Sequence, residues 1–185
     1  MQTSRSQQAV RTKQAILETA RRLFAERGFD ATSLQVIADD MGVRKANVYY
    51  YFKTKGAILT ALLKSVTEPM AALLDSLADI DDPDERKSLL VKGFASETVR
   101  SYRESGSMNL SDPGLFREPE AAAVLEDLGT KALRILFGDN PTPDQRAAFW
   151  LVFDLAPVLR RLDDLSDDQL RETIERLLWR VVGDV

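Results

Sequence analysis

The chain of 185 residues contains no cysteine and no histidine. Disulfides, thiolate or imidazole zinc sites, cysteine nucleophiles and histidine general bases are therefore excluded. No run of eighteen apolar residues occurs, and the first residues lack the apolar stretch of a secretory signal. We therefore expect a protein that is not an enzyme, has no cofactor, metal or membrane partner, and is cytoplasmic.

Negative charge is scarce in the first third of the chain. Residues 1–64 contain 11 Lys and Arg against 5 Asp and Glu, a net charge of +6, whereas residues 65–185 contain 14 against 24, a net charge of −10. This asymmetry suggests that only the basic part meets a polyanion. Chance unevenness of solvated charge is the alternative. Hydrophobic residues make up 44% of the chain, enough for a real core.

The segment 32–55 has the pattern of a helix, a tight turn at Gly42 and a second helix. Its apolar positions at helical spacing are Leu34, Ile37, Ala38, Met41, Val48 and Phe52. Between these positions the second helix offers cationic, amide and phenol side chains and almost no negative charge. A helix with such an outward face suits the major groove of DNA.

Start and stop signals flank this pattern. An apolar stripe predicts a first helix from about Val10 to Arg27, ended by Gly28 in a left-handed conformation. The polar residues before it predict a mobile terminus, or an arm that reaches the minor groove. Thr32 and Gln35 fit the spacing of a capping box, and these two residues with Ser33 can also bind a phosphate.

This part of the chain resembles the DNA-binding domain of the TetR family of transcriptional regulators, over roughly residues 10–60. The matching positions, in order, are Thr32, Ile37-Ala38, Met41-Gly42-Val43, Val48-Tyr49-Tyr50-Tyr51-Phe52, Lys53-Thr54-Lys55 and Ile58-Leu59. Several buried and polar positions match without a gap, which makes the resemblance specific.

The resemblance implies which residues meet DNA. Residues at the head of the first of the two helices would touch the backbone, three residues of the second would lie nearest the bases, and tyrosines and a lysine would clamp phosphates. The residues that would touch the backbone are Ser33 and Gln35, those nearest the bases are Lys45, Ala46 and Asn47, and those that would clamp phosphates are Tyr49, Tyr50 and Lys55. Thr32 and Arg44 are further candidates. The chemistry agrees, because Asn pairs with adenine, Lys with guanine, and a methyl group with thymine.

The chain departs from the family pattern at three positions. Arg44 stands where a small hydroxyl residue usually caps the recognition helix, so that cap is lost. Arg44 is then either a DNA contact or an ordinary exposed charge. Ala46 stands where Gly is common, and Tyr51, which we expect to pack, stands where His is common. These changes affect the operator sequence rather than the fold.

The predicted fold is all-α, with about nine helices: a three-helix helix-turn-helix DNA-binding domain at 1–56 and a helical ligand-binding and dimerisation domain at 57–185. Pro69 predicts a kinked helix or two abutting helices, and Pro83 begins the next. Further helices are expected at 120–137, at 144–162 with a bend at Pro157, and at 167–182. The segment 105–120 predicts a loop, either a lid over a cavity or a surface connection.

The second domain contains two sets of apolar candidates whose roles the sequence leaves open. The first set is core or, by family analogy, the lining of a ligand pocket: Met70, Leu74, Phe94, Tyr102, Met108, Phe116, Phe149 and Phe153. The second set closes the core or, as the resemblance implies, forms a four-helix dimer interface: Trp150, Pro157, Ile174, Leu177, Leu178 and Val181.

The leading hypothesis is a homodimeric repressor that binds palindromic double-stranded operator DNA and is released by a small hydrophobic or amphipathic effector. A DNA-binding adaptor controlled by a protein partner, with no small-molecule effector, is the alternative. A hydrolase that uses the clustered Asp163, Asp164, Asp167 and Asp168 is a third class. Helix capping explains these aspartates better, because no nucleophile or phosphate loop accompanies them.

Overall fold

A computed structural model describes residues 2–105, 117–153 and 155–183. These residues form nine helices and no strand, which confirms the all-α prediction. The helices are α1 (Gln2–Arg27), α2 (Leu34–Asp40), α3 (Lys45–Tyr51), α4 (Lys55–Ser76), α5 (Pro83–Ser105), α6 (Pro119–Phe137), α7 (Pro143–Phe153), α8 (Ala156–Arg161) and α9 (Asp167–Val182).

The described chain divides into two compact units. The first comprises residues 2–65 together with 117–122, and the second comprises 66–105 with the remaining residues from 123 onward. The first unit as a packed body is therefore longer than the segment 1–56. The assignment of DNA binding to 1–56 concerns function and stays a prediction.

The first unit is built on α1, which begins earlier than the sequence indicated. It starts at Gln2 rather than near Val10, so the expected mobile terminus is helical. Gly28 ends it with a φ of +82°, as predicted. Phe29 then packs back, its ring centroid 5.1 Å from that of Phe24. The fully buried core side chains of α1 to α3 are Ile16, Ala20, Leu23, Ile37, Ala38 and Val48.

The start of α2 corrects the predicted capping box. Ser33, not Thr32, is the N-cap, and its hydroxyl accepts from the N–H of Val36 at 3.2 Å. Thr32 is 1% exposed, and its hydroxyl donates to the carbonyl of Gly28 at 3.0 Å. The chain turns inward after Gly28 and buries Thr32, so the next residue takes the cap position. Thr32 therefore lacks the exposure that a phosphate contact requires.

Helix α4 runs without interruption through Pro69. The sequence predicted either a kinked helix or two abutting helices at Pro69, and the second alternative is therefore wrong. Thr54 caps α4 as expected, because its hydroxyl accepts from the N–H of Ala57 at 3.0 Å. By length and average composition α4 resembles a membrane span, but about two fifths of it is buried, including Ile58 and Leu63.

The second unit begins with a well-specified helix. Asp82 caps α5, its carboxylate accepting from the N–H of Asp84 at 2.9 Å, and Pro83 occupies the first helical position as predicted. Helices α4 and α5 then approach closely, because a Cβ on Gly93 would lie 2.5 Å from Leu73 Cδ2. Glycine is required at this approach unless Leu73 moves.

The predicted long helix at 144–162 is two helices. α7 ends at Phe153 and α8 begins at Ala156, so the chain breaks before Pro157 where only a bend was expected. Leu155 is 4% exposed, and its carbonyl accepts from the N–H of Leu159 at 2.9 Å. Proline at the second position of α8 has no N–H to donate, so starting a new helix there costs less than continuing the old one.

Helix α9 has the predicted capping box at its start. The N–H of Gln169 donates to the Ser166 hydroxyl at 3.3 Å, and the Gln169 side chain accepts from the Ser166 N–H at 3.0 Å. One stripe of α9 is buried in the second unit: Leu170, Ile174, Leu178 and Val182. These side chains pack with α5, α7 and α8, through residues that include Val91, Val99, Val152 and Leu159.

Candidate functional site

Helix α3 presents a polar, exposed face beside a single buried anchor. Val48 is fully buried, which fixes the rotation of this two-turn helix. The remaining predicted base-contacting and phosphate-contacting residues of α3 are all exposed: Lys45, Ala46, Asn47, Tyr49 and Tyr50. No acidic residue occurs in α3. The arrangement has the charge and the exposure that a major-groove helix needs.

The start of α3 has no side-chain cap, as the departure at Arg44 predicted. Arg44 is the N-cap residue, its backbone is extended, and no side-chain hydrogen bond closes the helix start. The Arg44 side chain is exposed. Its guanidinium therefore lies at the same end of α3 as Lys45, where both can meet an anion.

The side chains at the start of α2 have fewer free hydrogen-bonding groups than the sequence indicated. Ser33 is engaged as the cap, and Gln35 donates from its side-chain amide to the Asp39 carboxylate at 2.7 Å. Both residues are exposed. They stay candidates for backbone contacts, whereas Thr32 does not.

Lys55 has an internal role that sequence reasoning missed. Its ammonium donates to the carbonyls of Phe29 at 2.9 Å and Asp30 at 3.3 Å, and lies 4.2 Å from the centre of the Phe29 ring. Two of its three N–H groups are thus used to hold the turn between α1 and α2. The predicted phosphate clamp at this position is at the same time an anchor of the domain.

The chain is similar to bacterial regulators. Residues 16–62 match the protein family described as "Bacterial regulatory proteins, tetR family". A helix-turn-helix transcriptional regulator of Mycobacterium tuberculosis (strain CDC 1551 / Oshkosh) is 29% identical over 150 residues, which cover 78% of this chain and 72% of that protein.

Two further comparisons cover the DNA-binding region and the fold. The transcriptional regulator RutR of Escherichia coli (strain K12) is 35% identical over 80 residues, 41% of this chain and 38% of RutR. The solved structure of the fatty acid degradation regulator FadR from Bacillus halodurans shares the fold: it matches 94% of this chain and 96% of its own with a TM-score of 0.68 and 16% identity. The chain belongs to the TetR family. It is a DNA-binding transcriptional regulator and not an enzyme.

Three aspartates of the acidic cluster that suggested a hydrolase, Asp163, Asp167 and Asp168, form ion pairs in this TetR-family protein. Arg103 donates to Asp163 at 2.6 Å and to Asp167 at 2.9 Å, and Asp168 pairs with Arg171. Arg103 also donates to the carbonyl of Leu165 at 2.7 Å. Asp163 and Asp167 thus tie the α8–α9 turn to the end of α5, whereas the Asp168 pair lies within α9.

The second unit of this TetR-family chain contains a small apolar cavity. Its volume is about 30 Å³, roughly the volume of one water molecule in the liquid. The lining contains apolar side chains alone: Leu90, Val91, Phe94, Ala132, Leu136, Phe149, Val152, Phe153, Leu178 and Val182. Effector sites are typically ten times larger or more, so this cavity is too small to hold an effector.

The predicted pocket residues divide into three groups. Phe94, Phe149 and Phe153 line the cavity. Met70 and Leu74 are buried and are not among the residues that line this cavity. Met108 and Phe116, with most of the predicted lid, lie outside the described residues. Their roles stay predictions.

Tyr102 is not a lining residue either. Its hydroxyl donates to Asp163 at 3.2 Å beside the Arg103 ion pair. Burial, followed by this hydrogen bond, raises the pKa of Tyr102. Tyr102 therefore acts with Arg103 in the tie between α5 and the α8–α9 turn, and a hydroxyl engaged in this way is not free for a ligand.

The predicted dimer residues are also separated by burial. Ile174 and Leu178 are 0% and 3% exposed in their own unit, so they cannot meet a second subunit. Trp150 is 51% exposed, and Pro157 is exposed. Leu177 and Val181 are partly exposed, on the neighbouring stripe of α9. Sequence reasoning missed Leu151, which is 73% exposed although it follows Trp150 in an apolar run.

Proposed function

We propose that this TetR-family regulator is a repressor that binds a palindromic operator as a homodimer and leaves it when a small apolar effector enters the second unit. The observation that carries the DNA-binding part is the exposed face of α3, which has Lys45, Asn47 and two tyrosines around one buried valine and no acidic residue. Such a face meets phosphates and base edges without repulsion.

The proposed contacts on DNA follow from exposure and donor chemistry. Lys45, Ala46 and Asn47 lie toward the bases, and Tyr49 and Tyr50 toward phosphates. Arg44, which is exposed at the amino-terminal end of α3, joins the phosphate contacts. Ser33, Gln35 and the remaining N–H of Lys55 are backbone contacts, and 1–56 is the segment that supplies the whole DNA-binding surface.

We propose a dimer because one recognition helix reads only half of a palindromic site. Two such helices must be about 34–36 Å apart to enter successive major grooves. Trp150, Leu151 and Pro157, with the partly exposed Leu177 and Val181, supply the apolar surface of the proposed interface. A contiguous exposed apolar patch marks an interaction surface, and we propose that these side chains form one.

The proposed effector is hydrophobic, because each residue around the cavity is apolar. A volume of about 30 Å³ holds no metabolite, so the effector must bind an expanded conformation of the second unit. Differential affinity for the expanded conformation then shifts the population away from the operator-binding state.

A second candidate function has an observation in its favour. The small volume of the cavity also fits an adaptor whose second unit binds a protein and no small molecule. In that case the second unit never expands, and its surface carries the regulatory contact.

The deciding experiment is selection followed by competition. Duplexes that the purified protein retains from a random-sequence library are sequenced, and affinity for the best duplex is measured by fluorescence anisotropy with and without long-chain fatty acids. An inverted repeat whose affinity falls with an added fatty acid supports the proposal. Failure to enrich any sequence refutes specific operator binding, and enrichment with no response to a broad set of apolar compounds favours the adaptor.

A further inference from the structure

The cations of the first unit fall into two groups. Two are neutralised internally: Arg22 pairs with Glu26 at 3.2 Å and also with Asp40, and Arg117 pairs with Asp30. Lys13 and Lys53, by contrast, form no ion pair within the described ranges. The positive charge of these two lysines is therefore available to an external anion.

Each of these lysines is held against an aromatic ring at α3. The Lys53 ammonium lies 4.4 Å from the centre of the Tyr49 ring. The Lys13 ammonium, from α1, lies 5.8 Å from the centre of the Phe52 ring. Phe52 is the C-cap of α3 and is 5% exposed. Two cations from different parts of the chain thus border the carboxyl-terminal half of the recognition helix.

A ring face positions an ammonium group without using its hydrogen-bond donors. The attraction is to the ring quadrupole, so the three N–H groups of the lysine stay available. A lysine held in this way loses less side-chain entropy when it meets an anion than a freely rotating one. The anion most suited to a compact, multidonor cation beside a DNA-reading helix is a phosphodiester.

We propose that Lys13 and Lys53 form a phosphate-binding pair that holds the DNA backbone beside the carboxyl end of α3. The proposal rests on the DNA-binding role of α3 and extends it to Lys13 of α1, for which sequence reasoning predicted no contact. Tyr49 then has two roles, because its ring positions Lys53 while its hydroxyl is offered to the same backbone. Contacts of this kind fix the register of α3 and carry no base preference.

The test compares Lys13→Gln and Lys53→Gln with a matched control, Lys64→Gln. Lys64 is an exposed lysine of α4 that meets no aromatic ring within the described residues. Affinity for a duplex selected by the unmodified protein is measured over a range of salt concentrations. Removing one lysine–phosphate interaction reduces the magnitude of the negative slope of log K against log salt by about 0.9. We expect this reduction for Lys13→Gln and Lys53→Gln and none for Lys64→Gln.

Two further variants separate the ring of Tyr49 from its hydroxyl. Tyr49→Phe keeps the ring, so Lys53→Gln should still reduce the magnitude of the slope in that background. Tyr49→Leu removes the ring, so the effect of Lys53→Gln should shrink there, which a double-mutant cycle measures. Circular dichroism establishes that each variant is folded.

The outcomes are distinct. Slopes of folded Lys13→Gln and Lys53→Gln that match that of Lys64→Gln overturn the proposal while leaving operator binding intact. A loss of affinity confined to particular base pairs also overturns it, because a backbone contact acts on all sequences alike. If the unmodified protein selects no duplex, the proposal that α3 recognises DNA is refuted together with the proposal for Lys13 and Lys53.

Discussion

The ammonium of Lys55 donates to the carbonyl of Phe29 at 2.9 Å, across 26 positions of sequence. This bond and the neighbouring one to Asp30 join the start of α4 to the turn that precedes α2. The orientation of the helix-turn-helix pair therefore depends on a residue that sequence reasoning assigned to DNA alone.

Lys55→Ala should lower the free energy of unfolding by about 1 kcal/mol, because it leaves two backbone carbonyls without a charged donor. The measurement is urea denaturation followed by circular dichroism. Lys53→Ala is the control, since Lys53 is exposed and, among the residues that the structure describes, meets only the Tyr49 ring. Equal midpoints for the two variants would show that the Lys55 bonds add nothing to stability.

Thr32→Val should destabilise the protein by about 1 kcal/mol and leave the salt slope of DNA binding unchanged. The substitution keeps the shape of the buried side chain but removes the donor to Gly28. Thr32→Ser, which keeps the hydroxyl, is the matched variant. A reduced salt slope of DNA binding for folded Thr32→Val would support a phosphate contact by Thr32, against which its burial argues.

Arg44→Ser should stabilise the protein by about 1 kcal/mol, because serine supplies the cap that α3 lacks. The same change should weaken DNA binding, since it removes an exposed cation at the end of α3. Arg44→Gln should weaken binding to a similar extent without the gain in stability. Thermal melting and anisotropy, run on both variants, test the two effects separately.

Asn47→Ala should cost about 1–3 kcal/mol at one base pair of the selected duplex and little elsewhere. The amide of Asn47 is exposed on α3 and can pair with two atoms of adenine. Affinity is measured on duplexes substituted one base pair at a time. A uniform loss over all duplexes would assign Asn47 to the backbone instead.

Leu151→Glu should shift the protein toward the monomer, because it places a charge at the centre of the proposed apolar interface. Analytical ultracentrifugation measures the shift. Leu89→Glu is the control, since Leu89 is 39% exposed on α5, outside that surface. A dimer that persists with folded Leu151→Glu would place the interface elsewhere.

Local signals explain what the sequence predicted well. The turn at Gly42 has a φ of +66°, and a conformation of this kind strongly favours glycine. The apolar spacing around it, the proline that opens α5 and the Ser166–Gln169 capping box all act within a few residues. Such features need no knowledge of distant packing.

The predictions that were wrong depend on contacts between residues that are distant in sequence. α9 has two adjacent apolar stripes, and only the packing of α5 and α7 decides that Ile174 and Leu178 lie inside. Thr32 and Ser33 are both good caps, and the burial of Thr32 selects the second. The cavity residues Leu90 and Leu136 come from separate helices, α5 and α6, so no local pattern brings them together.

Trp150 packs its ring 5.2 Å from Phe149 and 4.9 Å from Phe153, both of which line the small cavity. The chain contains only one other tryptophan, Trp179. A protein carrying Trp179→Phe thus has a single indole whose emission colour responds to solvent polarity at the border of that cavity. The intrinsic fluorescence of that variant therefore reports, without an added dye, both expansion of the cavity and pairing of two subunits.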